Sequence, residues 1–269
     1  MRQYPSKIIL FGEHTLLWGS EGLAVPGNGY FGLWVQGNPR YQGTDLFKFA
    51  EYLSGQELHN QVDHAALLED AANGWFFDSS IPVGYGVGSS GAYSAAVYDR
   101  YADVTDKDAS HIRQDLAAIE SFFHGSSSGI DPLISYYERA FHLKGGQPEK
   151  VVITDRIRDS FVLTDTGIKR DGIEYIKMFA QKMEDPNFAE KIRELYIPMV
   201  ANAIEACLKD DVARLHEQFF EISYFQLVWM TDFIPFHLIK KWEQRLSDYT
   251  GYYKICGAGG GGFLVEIRR

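Results

Sequence analysis

Apolar residues run without a break from Ile8 to Phe11, as in a strand buried on both faces. Tyr30 to Val35 also reads as a strand. Asp45 to Leu53 and Glu57 to Ala72 repeat apolar positions at helical spacing, with Ala65, Leu68 and Ala72 on one face of the second segment. Trp75 to Ile81 reads as a strand feeding a glycine-dense loop, and behind that loop Ala92, Ala95, Ala96, Val97 and Tyr101 recur at helical spacing. Asp108 to Ile119 predicts a further helix, with Asp106 or Asp108 as its cap. Ala140 to Leu143, Val151 to Thr154 and Phe161 to Leu163 predict strands, with a turn at Gly145-Gly146-Gln147-Pro148.

The pattern then changes. Ile173 to Met183, Pro198 to Leu208, Val212 to Gln226 and Phe236 to Leu246 are helical, with Pro198 suited to a first helical turn. Lys209-Asp210-Asp211 reads as a turn and cap between antiparallel helices. Tyr252 to Ile255 and Phe263 to Ile267 read as strands joined by a run of glycines. A helix-poor first half and a helix-rich second half predict two α+β lobes, residues 1–157 and 158–269, parting where charged residues interrupt the apolar runs between Asp155 and Ser160. The aromatic cluster from Phe219 to Phe236 reads as core of the second lobe, with a homodimer face as the minor alternative.

A chain of 269 residues with 45% hydrophobic content can build a sizeable core. Its net charge of −10 argues against nucleic-acid or membrane-surface partners, which ask for a basic patch. It leaves a phosphorylated ligand open, because a local loop and magnesium can handle phosphate charge. Cys207 and Cys256 stand far apart without ligand spacing, so two reduced, buried side chains in the cytoplasm are expected. The apolar run after Met1-Arg2-Gln3 is too short for a secretion signal, and no run is long enough to span a bilayer.

Candidate chemistry begins at Pro82-Val83-Gly84-Tyr85-Gly86-Val87-Gly88-Ser89-Ser90-Gly91-Ala92. Glycines allow close backbone approach, and the helix that follows offers free N–H groups and a positive dipole end, together a cradle for phosphate. The bland alternative is an ordinary turn before a buried helix. The loop matches neither the P-loop, which needs Lys-Ser or Lys-Thr after the last glycine, nor the dinucleotide fingerprint. Two further motifs accompany it: Lys7-Ile8-Ile9-Leu10-Phe11-Gly12-Glu13-His14 near the start, and Lys254-Ile255-Cys256-Gly257-Ala258-Gly259-Gly260-Gly261-Gly262 near the end. With all three in this order, the chain resembles the GHMP kinases, named for galactokinase, homoserine kinase, mevalonate kinase and phosphomevalonate kinase.

That resemblance implies an N-terminal lobe with a mixed sheet and a left-handed βαβ crossover, a ferredoxin-like C-terminal lobe, and an active site in the cleft between them. It implies ATP and Mg2+ as cofactors and a small-molecule hydroxyl as acceptor. Gly84, Gly86, Gly88, Ser89, Ser90 and Gly91 would bind ATP, and Ser90 with Glu120 would hold the metal. Glu120 by itself would read as a surface residue. The segment Glu120-Ser121-Phe122-Phe123-His124-Gly125-Ser126-Ser127-Ser128-Gly129-Ile130-Asp131 resembles the mevalonate-kinase branch of the family, with Ser127 where proline is usual. By that likeness Asp131 meets the hydroxyl to be phosphorylated, and Lys7 lies beside it. A helix start at Asp131 and a lysine neighbour would both favour the charged carboxylate; alone, Asp131 would read as a plain N-cap. Glu13, His14, His124, Thr166 and Arg170 are the implied acceptor-binding residues, while Gly257, Ala258, Gly259 and Gly260 shape the site from the other lobe.

Mevalonate is the acceptor this pattern favours. A sugar or sugar-acid kinase of the same family is the first alternative, and a non-catalytic nucleotide-binding sensor the second. A sensor should have lost Lys7, Glu120 or Asp131, and all three are present. Gly91 in place of the usual alanine and Ser127 in place of proline are the departures from the family pattern.

Overall fold

A computed structural model describes residues 1–37, 45–169 and 172–268. The chain is mixed α+β and divides into two compact units. Unit 1 comprises residues 1–7, 26–82 and 87–139; unit 2 comprises 8–25, 83–86 and 140–269. The expected boundary at 157/158 is therefore not where the units part. Strands β1 (Tyr4–Phe11) and β2 (Gly22–Gln36) each pass from one unit to the other, which no contiguous split can describe.

In unit 1, the later half of β2 pairs antiparallel with β3 (Trp75–Ser79), Gly32 opposite Ser79 and Gln36 opposite Trp75. Helices α1 (Leu46–Ser54) and α2 (His64–Ala72) start at Asp45 and Asp63, whose carboxylates accept the N–H groups of Lys48 and Ala66. Helix α3 (Ser89–Tyr101) is buried at Ala92, Ala95, Ala96 and Val97, and its small residues let α4 (Ala109–His124) and α5 (Ile130–Tyr137) pack close. Asp108 caps α4 through the N–H groups of Ser110 and His111.

The predicted helix from Glu57 is shorter than its apolar spacing suggests, because α2 begins only at His64. The preceding segment is claimed by tertiary hydrogen bonds. The buried Asp115 carboxylate accepts the N–H groups of His59 at 2.7 Å and Asn60 at 3.0 Å, and Val62 bridges to Ala102. Backbone donors satisfied this way are not available to a helix.

In unit 2, β4 (Ala140–Lys144) and β5 (Gln147–Val151) form a hairpin around Gly145-Gly146. The turn thus closes one residue earlier than predicted. The strand expected at Val151–Thr154 ends at Val151, and Thr154 instead caps the short helix α6 (Asp155–Arg158). A three-stranded antiparallel sheet follows, in the order β6 (Phe161–Asp165), β8 (Phe263–Arg268), β7 (Gly251–Ile255). Its helices are α7 (Gly172–Lys182), α8 (Pro186–Lys191), α9 (Ile197–Leu208), α10 (Val212–Trp229) and α11 (Ile239–Asp248).

Pro198 stands in the first turn of α9, as expected, but α9 does not start afresh there. The chain runs into α9 from α8 through a π-helical turn, Ile192–Tyr196, in which the Ile197 N–H reaches back to the Ile192 carbonyl. A wide turn accommodates the hydrogen bond that proline cannot donate. Of the aromatic cluster, Phe219, Phe225 and Phe233 are core, whereas Tyr224 is 55% and Phe236 89% exposed. No helix among the described residues is long and apolar enough to cross a membrane.

Candidate active site

Unit 1 holds eight of the sequence candidates, Lys7, Gly88, Ser89, Ser90, Gly91, Glu120, His124 and Asp131. Lys7 on β1 donates its backbone N–H to the Val87 carbonyl at 2.9 Å, which fixes the glycine loop to the strand. Its buried side chain reaches Asp131, Nζ to Oδ2 2.8 Å. Gly88 is the N-cap of α3 at φ +79°, and a Cβ there would come within 2.8 Å of Lys7 Cγ. Glycine is therefore demanded by both the left-handed backbone and the lysine stem. No side chain caps α3, so its first-turn N–H groups and positive dipole end are available at Ser89 and Ser90.

Asp131 is the second residue of α5, whose N-cap is Gly129, so it is not the plain cap its sequence context allows. It lies in the first turn, where the dipole favours a carboxylate. Gly91 explains how it is placed. A Cβ on Gly91 would lie 2.9 Å from both the carbonyl carbon and the Cβ of Asp131, and 3.0 Å from Pro132 N. Helices α3 and α5 thus meet closer than the family's usual alanine would permit.

Ser90 Oγ donates to Glu120 Oε1 at 2.9 Å and lies 2.9 Å from His124 Nε2. Glu120 is 4% exposed. Burial, reinforced by the nearby Asp131 charge, pushes its carboxyl up to about 7, against the opposing hydrogen bonds of Ser127 and Ser90 and the charge of Lys7. Ser127 Oγ donates to Glu120 Oε2 at 2.5 Å and accepts the Gly129 N–H at 3.0 Å. This residue was absent from the sequence candidates, although its departure from proline marks it. Proline could make neither bond.

The donor set fits magnesium. It offers a hydroxyl and carboxylate oxygens, the hard ligands that ion prefers. Two carboxylates near each other, one buried and pushed toward neutrality, are the arrangement a cation relieves.

Unit 2 holds the remaining candidates among the described residues. Glu13 is ion-paired with Lys254 on β7, both side chains nearly inaccessible, and Lys254 also donates to the Ile255 carbonyl at 2.6 Å. His14 Nε2 lies 3.1 Å from the Ala258 carbonyl, with its ring among Phe179 and Phe233. Glu13 and His14 therefore tie the first motif to the start of the C-terminal glycine run. Lys254 is the second residue that sequence reasoning passed over; a lysine between apolar neighbours in a predicted strand was its signal. Thr166 Oγ1 donates to the Gly262 carbonyl at 2.7 Å, and a Cβ on Gly262 would come within 2.5 Å of the Tyr85 carbonyl. The glycine run, Thr166 and the residues Gly84 to Gly86 are thus neighbours within this unit. Arg170 lies outside the described residues.

Residues 51–139 match the GHMP kinases N terminal domain. A mevalonate kinase of Pyrococcus abyssi is 28% identical, over 98% of this chain and 87% of that protein. The chain is thus similar to the GHMP kinases. A mevalonate kinase of Archaeoglobus fulgidus is 24% identical, over 98% of this chain and 90% of the other. Among solved structures, L. major mevalonate kinase in complex with R-mevalonate superposes with a TM-score of 0.70 at 18% identity, covering 99% of this chain and 87% of the other. Lactococcus lactis galactokinase complexed with galactose gives 0.65 at 15% identity, covering 99% and 84%. These likenesses show the GHMP-kinase fold.

Proposed function

We propose that this chain is a Mg-ATP-dependent kinase that phosphorylates the primary hydroxyl of mevalonate. The observation that carries the reading is the Lys7–Asp131 pair at 2.8 Å, set in one unit with the Ser90–Glu120 pair and the uncapped start of α3. Phosphoryl transfer asks a protein mainly to position the phosphate, neutralise its charge and orient the nucleophile. In this reading Gly84, Gly86, Gly88, Ser89, Ser90 and Gly91 supply backbone contacts to ATP, and Ser90 with Glu120 would hold magnesium, which neutralises phosphate charge. Lys7 orients Asp131, and an Asp131 oxygen accepts the proton of the acceptor hydroxyl as its oxygen attacks the γ-phosphorus, the bond from that phosphorus to the β,γ-bridging oxygen breaks and ADP leaves. Glu13, His14, His124, Thr166 and Arg170 belong to acceptor recognition, and Gly257, Ala258, Gly259 and Gly260 shape the site. The cytoplasmic setting is proposed from two cysteines far apart in sequence, Cys207 and Cys256, both buried.

Mevalonate is preferred because the named relatives across nearly the whole chain are mevalonate kinases. The likeness to a galactokinase fold sustains a sugar kinase as the second reading. A panel of mevalonate, phosphomevalonate, homoserine and galactose, read by ADP release, decides between them. Mevalonate is expected to be used best; turnover of galactose with none of mevalonate would replace the acceptor while leaving the kinase intact.

Gly91→Ala provides a sharper test of the geometry. Alanine favours a helix interior by about 1 kcal/mol over glycine, so α3 alone would gain. The new methyl must nevertheless push Asp131 away. A displacement approaching an ångström is expected to lower kcat roughly tenfold to a hundredfold, with KM for ATP little changed. Steady-state kinetics of the folded variant check this.

A further inference from the structure

We propose that His59, Asp106 and His111 form a binding site for a divalent transition-metal ion of the zinc class, outside the ATP and acceptor machinery. Among the described residues they are the one group of three His, Cys, Asp or Glu side chains whose ligand atoms converge, one atom from each lying within 4.8 Å of the others. The two imidazoles stack with centroids 3.9 Å apart and planes 9° from parallel. His111 Nδ1 is 2.6 Å from Asp106 Oδ2, and His59 Nε2 is 2.9 Å from Gln114 Oε1.

The backbone that carries these side chains is held from beneath. Asn60, 1% exposed, donates its amide to the Asp106 carbonyl at 2.9 Å and accepts the Asp106 N–H at 2.9 Å. Asp115, also 1% exposed, holds the N–H groups of His59 and Asn60. His111 rides on the first turn of α4, whose cap Asp108 donates its own N–H to Asp106 Oδ1 at 2.9 Å. Two loops and a helix start are therefore locked together by buried hydrogen bonds, and the three potential ligands project from that frame. Fixed backbones under a ligand set lower the ordering cost of binding.

Chemistry selects the ion. Imidazole with carboxylate suits zinc, copper or nickel, whereas magnesium prefers oxygen alone. At zinc–ligand distances of about 2.1 Å, tetrahedral ligands lie about 3.4 Å from one another. The present spread of 4.8 Å closes by rotating the imidazoles about their soft terminal torsions, with little demand on the backbone. Binding needs both rings to present a lone pair, so the ion displaces the His111–Asp106 hydrogen bond or takes the opposite ring nitrogen. Three protein ligands leave one position for water or for a group on a partner.

The test is zinc sulfate added to the purified full chain in excess Mg2+, with bound zinc measured after dialysis and Co2+ absorption as a second readout. One zinc per chain is expected, weakened roughly tenfold or more in His59→Ala and in His111→Ala. Both variants should keep wild-type kinase activity in zinc-free buffer. Should either fail to fold, His59→Gln and His111→Gln, checked by circular dichroism melts, take their place. No zinc retained by the wild type, or equal retention in both histidine variants, would overturn the proposal.

Discussion

Replacing Asp131 with alanine is expected to lower kcat at least roughly a hundredfold while the protein remains folded. The side chain is the only carboxylate, among the described residues, that pairs with Lys7, and the pair sits in the same unit as the proposed metal ligands. Removing it takes away the group that orients or deprotonates the acceptor. It also leaves the Lys7 ammonium, 8% exposed, without its counter-ion, which costs stability as well. Asp131→Asn separates the two effects. It keeps a hydrogen-bond acceptor for Lys7, so its thermal midpoint should stay nearer the wild type, yet it cannot take a proton and should be as slow as the alanine variant. Saturating-substrate kinetics of both variants make the measurement. Normal turnover in either would remove Asp131 from the mechanism.

Replacing Glu120 with glutamine is expected to trade function for stability. Its carboxyl titrates near 4.5 when unfolded and is pushed up to about 7 in the folded chain by burial and by Asp131. Below pH 4.5 the group is protonated in both states and contributes nothing. Between the two values the unfolded chain is ionised and the folded chain is not, so the folded state binds more protons and stability falls as pH rises. Above 7 the whole penalty is present, on the order of 3 kcal/mol for a rise from 4.5 to about 7.

Glutamine carries no charge; its amide oxygen can accept from one of Ser90 and Ser127 while its amide N–H donates to the hydroxyl of the other. In magnesium-free buffer Glu120→Gln should therefore raise the melting temperature at pH 8 by roughly 5 to 10 °C and change it little at pH 4.5. The same variant should need at least about ten times more magnesium for half-maximal activity, with nucleotide binding less affected because the loop amides remain. Melting curves at the two pH values and magnesium titrations at fixed ATP make the check. An equal stability gain at both pH values would show that the buried charge is not its source, and an unchanged magnesium requirement would remove Glu120 from the metal site.

What sequence by itself determined follows from local physics. Apolar runs, continuous at Ile8 to Phe11 and broken only by Glu266 at Phe263 to Ile267, give the strands there, and 3.6-residue spacing gives α3, α4 and α10. Aspartates before apolar runs mark the starts of α1 and α4. Lys7, Ser90, Glu120 and Asp131 stand in motifs whose order resembles that of the GHMP kinases.

Tertiary structure decided the rest, because the deciding contacts join residues far apart in the chain. Glu57 to Asp63 has helical spacing, yet Asp115 takes its backbone donors from a distance of 55 residues. Pro198 sits in the first turn of α9 as its sequence suggests, but only the fold shows the π-helical turn before it that joins α9 to α8. The units share β1 and β2, so no change in composition along the chain could reveal their boundary. Gly91 and Ser127 look like lapses from a family pattern. In three dimensions one makes room for Asp131 and the other hydrogen-bonds Glu120, since the space beside a helix and the reach of a hydroxyl are set by whichever residues the fold places opposite them.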